Sequence, residues 1–133
     1  MTPFISFQTL TRPPKPNTFL VAPAGICKKA EPDLVSPVFP ASPRGLFSQI
    51  SEIIASERSW KDLKADAETH QLRFIARTPL LGFRDDVDIA VLPAGDGQQG
   101  TSLAVYSRSR VGYSDLGANK KRVLALLDAL TAK

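Results

Sequence analysis

The spacing of apolar positions changes twice along this chain. Between residues 43 and 57, Leu46, Phe47, Ile50, Ile53 and Ile54 recur three or four positions apart and predict an amphipathic helix. Ser42 followed by Pro43 supplies a hydroxyl cap and a first-turn proline whose missing N–H costs nothing there. Gly45 weakens that turn by about 1 kcal/mol relative to alanine. From Trp60 the period drops to two. Leu63, Ala65 and Ala67 alternate with Asp62, Lys64, Asp66 and Glu68; Glu68-Thr69-His70 turns the chain, and Leu72, Phe74 and Ala76 continue the alternation until Pro79. Val87, Ile89 and Val91 predict a third strand, and Leu103 with Val105 a fourth. The helical period then returns in Val123, Leu124, Leu127 and Leu130, which predicts a helix over 116–131 starting near Asp115 or Leu116.

Four strands in sequence with short links imply an antiparallel meander. The order helix, four strands, helix predicts an α+β sandwich: an antiparallel sheet of four or five strands with both helices packed on one face. The fifth strand would be an edge strand formed by Phe19 to Val21. Nine of the 11 prolines fall within residues 1–43, so this part should be extended and irregular. Its apolar runs Phe19-Leu20-Val21 and Pro37-Val38-Phe39 would be costly to leave in water and are expected against the folded body. With 133 residues there is room for one core. The expected division is a proline-containing N-terminal arm over 1–15 and a single α+β domain over 16–133.

Matching the apolar faces of the third and fourth strands fixes their register. Val91 falls opposite Leu103, Ile89 opposite Val105, Val87 opposite Ser107 and Asp85 opposite Ser109, all facing the core. Asp86 then lies opposite Arg108 on the other face, where a cross-strand ion pair is worth roughly 0.2–1 kcal/mol. The loop between these strands, Gly95-Asp96-Gly97-Gln98-Gln99-Gly100, spells Gly-x-Gly-x-x-Gly. A dinucleotide site would need a helix directly after it, whereas Thr101 to Ser107 reads as a strand, so the loop is a flexible hairpin connection.

Charge changes the picture mainly by its distribution. Residues 101–133 carry 6 basic and 2 acidic side chains, against 5 and 7 over residues 61–100. Such a basic end attracts phosphate, carboxylate or anionic lipid head groups, unless it is only a solvated face. A nucleic-acid partner is not expected, since no recognition helix or aromatic interleaving accompanies the cluster. Cys27 and His70 are the single cysteine and histidine, which excludes an intrachain disulfide and most zinc sites. Asp85, Asp86 and Asp88 lack a nearby histidine, and neither a metal nor a cofactor is expected. No apolar run of about 18 residues would span a membrane, and the N-terminal prolines, Arg12 and Lys15 do not suit a signal peptide. Ala24-Gly25-Ile26-Cys27 does not suit a lipoprotein cleavage site, because Ile26 is not small. The expected location is the cytoplasm, with peripheral membrane contact left open.

The segment from Ser107 to Arg122 joins the last strand to the last helix with far more polar chemistry than a turn needs. Ser107, Ser109, Arg110, Gly112, Asp115, Gly117, Asn119 and Arg122 resemble the signature of the domain-of-unknown-function family 1499, in which a Ser-x-Ser-Arg-x-Gly-x-x-Asp-x-Gly-x-Asn-x-x-Arg pattern closes the domain. Phe83-Arg84-Asp85-Asp86-Val87 resembles the family's second motif, Gly-Phe-x-Asp-Asp, and Pro16-Asn17 its early Pro-Asn dipeptide. The resemblance covers residues 16–130. It implies a single domain and no particular reaction.

Two readings of this end follow. In one, Asp85, Asp86, Ser107, Arg108, Ser109 and Asp115 form a structural polar network, Asp115 capping the last helix. Arg110, Asn119, Lys120 and Arg122 then hold an anion or a protein partner, and the chain is a non-catalytic binding or scaffold module for an anionic ligand, a lipid head group or a protein. In the other, the chain is an enzyme on an anionic small molecule, with Asp85 or Asp86 as acid–base and Arg110 stabilising charge. Ser107 or Ser109 would need an activating base; His70 lies in a distant turn, and Lys120 could serve only if strongly desolvated. A concave pocket around Asp85 and Arg110 holding a desolvated carboxylate would favour the enzyme; a filled, flat surface would favour binding.

Overall fold

The computed structural model describes residues 4–78, 82–94, 99–112 and 114–131. Six strands and two helices follow one another as β1 (Thr18–Ala22), β2 (Leu34–Val35), α1 (Pro43–Ser56), β3 (Trp60–Asp66), β4 (Gln71–Arg77), β5 (Arg84–Pro93), β6 (Thr101–Ser109) and α2 (Ala118–Thr131). The sheet order is β2-β1-β6-β5-β4-β3. The α+β class and the antiparallel meander of β3 to β6 match the hydrophobic periods. The expected four or five strands become six, and β1–β2 is a parallel pair, so the sheet is mixed. A two-residue strand has no period to detect. Nor is β1 an edge: it pairs with β6 on one side and β2 on the other.

Each helix forms where its stripe and caps require. Ser42 Oγ accepts from Gly45 N at 3.0 Å, and Leu46, Ile50 and Ile54 turn inward from α1. Val123, Leu126, Leu127 and Leu130 turn inward from α2. Both helices share one core with Val21, Leu72, Phe74, Val87, Ile89, Leu103 and Val105, which places them on the same sheet face. The α2 helix starts two residues later than 116, because Leu116 and Gly117 both take left-handed backbone, φ 55° and 84°. The alternation of β3 also breaks. A register shift between Lys61 and Lys64, with Asp62 at φ 58°, leaves Leu63 exposed instead of inward.

The opposite sheet face is covered by the proline-containing segment. Phe7 and Leu10 bury against Leu20, Ala22, Ala90, Ala104 and Tyr106, with Ile26 and Cys27 beside them. Burial pushes the Cys27 thiol up, with Arg12 opposing. Phe39 bonds Thr101 in both directions, N to O at 2.7 and 2.9 Å. This contact forces Gly100: a Cβ there would stand 2.7 Å from Phe39 O. Pro79 and the Gly95-Asp96-Gly97-Gln98 part of the hairpin loop lie outside the described residues.

Candidate functional site

The β5–β6 register puts Asp85 opposite Ser109, Asp86 opposite Arg108 and Val87 opposite Ser107. Ser107 and Ser109 therefore point under the sheet at the first turn of α2, where Asn119 stands fully buried. The two N–H groups of its Nδ2 are shared among Asn17 O at 2.9 Å, Ser109 Oγ at 3.0 Å and Asp115 Oδ2 at 2.6 Å. Its Oδ1 accepts from Ser107 Oγ at 2.6 Å and Arg122 Nη1 at 2.9 Å. Asp115 caps the helix: its carboxylate accepts from Gly117 N at 2.8 Å and Asn119 N at 3.1 Å. Arg122 Nη2 reaches Asp85 Oδ2 at 2.9 Å in an ion pair only 9% and 1% exposed. One amide thus ties β6 and α2 to Asn17, the residue before β1, and Arg122 extends the tie to β5.

Two members of this cluster, Asn17 and Asp85, are not fully paired. Asn17 Oδ1 is buried without a partner among the described residues. Asp85 Oδ1 is buried without a hydrogen bond of good geometry among the described residues, although the neighbouring Ser109 hydroxyl is close enough to act on the carboxylate. Burial pushes its carboxyl above the ordinary value; Arg122, and less strongly Ser109, pull the other way, while the charge of Asp115 adds to the rise. Asp85 also lines a concave cavity of about 310 Å³, shared with Thr78, Phe83, Val111, Leu116 and Ala118. That volume lies at the lower end of the range for small-molecule pockets, about 300–1,000 Å³. Its ionisable lining side chains, among the described residues, are Asp85 and Asp115, both acids.

The other face of the same strands carries a ladder of ion pairs. Asp86 and Arg108 are opposite each other, yet they do not pair. Arg108 reaches diagonally to buried Asp88 at 2.8 Å and lies over the Tyr106 ring at 4.9 Å. Asp86 is gripped by Arg110 through Nε at 3.0 Å and Nη2 at 2.9 Å, with Arg73 at 3.3 Å. Burial would raise the Asp86 carboxyl, but the bonds and charge of Arg110, with Arg108 and Arg73, outweigh it and hold the carboxyl below the ordinary value.

The four residues expected to hold an anion are thus not brought to one place. Arg110 sits on the outer face clamped by Asp86, and Arg122 lies beneath the sheet with Asp85. Asn119 is fully buried, and Lys120 is exposed on α2. The structural set does converge: Asp85, Ser107, Ser109 and Asp115 surround Asn119 and Arg122, while Asp86 and Arg108 belong to the outer ladder. His70 stands away from all of them, against the Phe47 ring at 5.6 Å. Among the described residues, no group of three or more His, Cys, Asp or Glu could hold a metal ion.

The profile of the DUF1499 family, a protein family of unknown function, matches residues 9–130. The chain belongs to this family. No curated protein matches it. In this DUF1499 chain the three stretches that carried the resemblance meet in space: Asn17 from the early dipeptide, Asp85 from the second motif, and Ser107 to Arg122. The residue that sequence reasoning left out of the site is Asn17. It is buried, its Nδ2 holds Gly112 O at 3.0 Å, and its carbonyl takes Ser109 N as well as Asn119. The Pro-Asn dipeptide was its signal. Phe83, Val111 and Leu116 were also missed, because exposed apolar residues in loops leave no periodic trace.

Proposed function

We propose that this DUF1499 chain is a non-catalytic binding module whose site is the cavity at Asp85. The ligand it suits is an apolar group carrying an N–H or O–H donor. The observation that carries this reading is buried Asp85, which lines an otherwise largely apolar cavity and whose Oδ1 lacks a hydrogen bond of good geometry among the described residues. A buried acceptor without a donor is costly by about 1–3 kcal/mol, and a ligand that supplies the donor recovers that cost. The expected anion is disfavoured in this cavity, since its ionisable walls are both acidic and the two arginines are already committed to Asp85 and Asp86. A lipid head group or protein would instead meet the exposed lysines of α2.

Eight-carbon probes that differ only in the head group test the reading. Amide resonances of Phe83, Ser109 and Ala118 are followed during titration with octanamide, octanol and octanoate. Saturable shifts are expected with the first two, and binding of the carboxylate about tenfold weaker or worse. Equal affinity for octanoate would remove Asp85 from recognition, and no shift with any probe would remove the cavity.

One observation favours the enzyme reading: the desolvated Asp85 carboxyl, raised from its ordinary value, lines a concave cavity as an acid–base would. Arg110 does not line that cavity, and Ser109 there has no basic partner. Loss of a bound substrate's proton to solvent deuterium, abolished by Asp85→Asn, would support catalysis over simple capture.

A further inference from the structure

The end of the molecule that carries the cavity mouth has two features its own fold does not use. Phe83, Val111 and Leu116, from the two loops there, are 48%, 55% and 91% exposed. Leu116 is also held at φ 55°, a backbone that leucine adopts only at a cost, and its side chain gains almost no burial in return. The second feature is charge. Arg77 and Arg84 are direct cross-strand partners, a repulsive arrangement, and Lys120 and Lys121 are adjacent at the start of α2. All four are exposed and form no ion pair among the described residues. The acids nearby are turned inward or engaged: Asp85 with Arg122, Asp86 with Arg110, and Asp115 on the helix cap.

We infer that this end is a docking surface for an anionic lipid bilayer, with Phe83, Val111 and Leu116 entering the interface and Arg77, Arg84, Lys120 and Lys121 at phosphate depth. Apolar insertion and basic attraction add in such contacts. An anionic bilayer suits both features at once, with an apolar layer for Phe83, Val111 and Leu116 and a phosphate layer for the four cations. A dense layer of phosphates also relieves the Arg77–Arg84 repulsion. The inference builds on the cavity reading in one respect: the three apolar side chains border the cavity mouth, so a docked molecule would draw its apolar ligand from the membrane.

Vesicle flotation tests the surface. The full chain should bind phosphatidylcholine vesicles containing phosphatidylglycerol, bind pure phosphatidylcholine far less, and be released by salt. Lys120→Gln/Lys121→Gln should lower partition about 30-fold, roughly fivefold for each cation removed. Leu116→Gly should lower it about tenfold while the melting temperature holds or rises, because glycine accepts the left-handed backbone. Failure of the wild type to bind anionic vesicles, or unchanged partition of both variants, overturns the inference. The lysine variant should still bind octanamide as the wild type does, since neither lysine lines the cavity. Loss of octanamide binding in the wild type with vesicle binding intact would sink the cavity and leave the surface standing.

Discussion

Replacing Arg122 with methionine removes the cation from a pair that is buried at both ends. Arg122 Nη2 stands 2.9 Å from Asp85 Oδ2, with the side chains 9% and 1% exposed. Methionine keeps much of the apolar stem contact, so the loss reports the charge. Unit charges about 4 Å apart attract by about 4 kcal/mol at an effective dielectric constant of 20, and breaking a buried pair from one side costs about 3–5 kcal/mol. Ser107 and Asn119 also lose a donor. The expected loss near neutral pH is about 4 kcal/mol, a large part of the roughly 5–15 kcal/mol that holds a domain folded. The pH dependence gives the sharper test. The folded-state carboxyl of Asp85 is already raised by burial, and Arg122 is what chiefly restrains it. Without Arg122 it rises further. A carboxyl raised in the folded state contributes stability that is present below its unfolded value and lost as pH climbs through the folded one. The deficit of the variant should therefore be greatest near neutrality and shrink on acidification, when Asp85 takes up a proton. Asp85→Asn/Arg122→Met should recover much of it. Urea melts from about pH 8 down to about pH 4.5 read this directly. A loss below about 1 kcal/mol, or one equal in acid and at neutrality, refutes the argument.

Three further expectations follow from the packing. Leu127→Ala should cost about 2–5 kcal/mol in urea melts, since the side chain is buried in the α2 face of the core. A double-mutant cycle on Asp86 and Arg108 should couple by less than about 1 kcal/mol despite their direct opposition, while one on Asp88 and Arg108 should exceed it; the reverse order would undo the diagonal pairing. Gly100→Ala should destabilise by more than about 1 kcal/mol, because φ is 115° and the new Cβ would lie 2.7 Å from Phe39 O. A neutral result in thermal melts would show that the Phe39 contact yields.

The meander was legible because period two is strict where one face is buried. The apolar faces of β5 and β6 set all four expected core-facing pairs, Val91–Leu103 to Asp85–Ser109, as they stand. The same logic misled at β3, where the bulge between Lys61 and Lys64 shifts the pattern and leaves no trace in composition. The start of α2 falls later than its apolar pattern predicts, because Leu116 reads as a helix former but its left-handed backbone precedes the helix. At the site, the polar residue types were visible and their partners were not. Arg122 and Arg110 are both arginines in one basic segment, but burial beneath the sheet gives one to Asp85, and exposure on the outer face leaves the other to Asp86. Sequence distance hid Asn17 most completely, since it bonds Asn119 from 102 residues away.

That long-range bond bears on the order in which the chain acquires its structure. Strands β3 to β6 pair with sequence neighbours, and such hairpins close quickly. Strand β1 must wait for β6, and the cover formed by Phe7 and Leu10 must wait for β1, β5 and β6 together. On a ribosome, residues 4–40 therefore emerge before their partners in the sheet and dock after them. Beyond the local β1–β2 pair they lack their partners until β6 has appeared, and over that interval the sheet lacks its cover and is open to misassociation. Proline, with its missing N–H, limits how much wrong strand pairing this segment can offer while it waits.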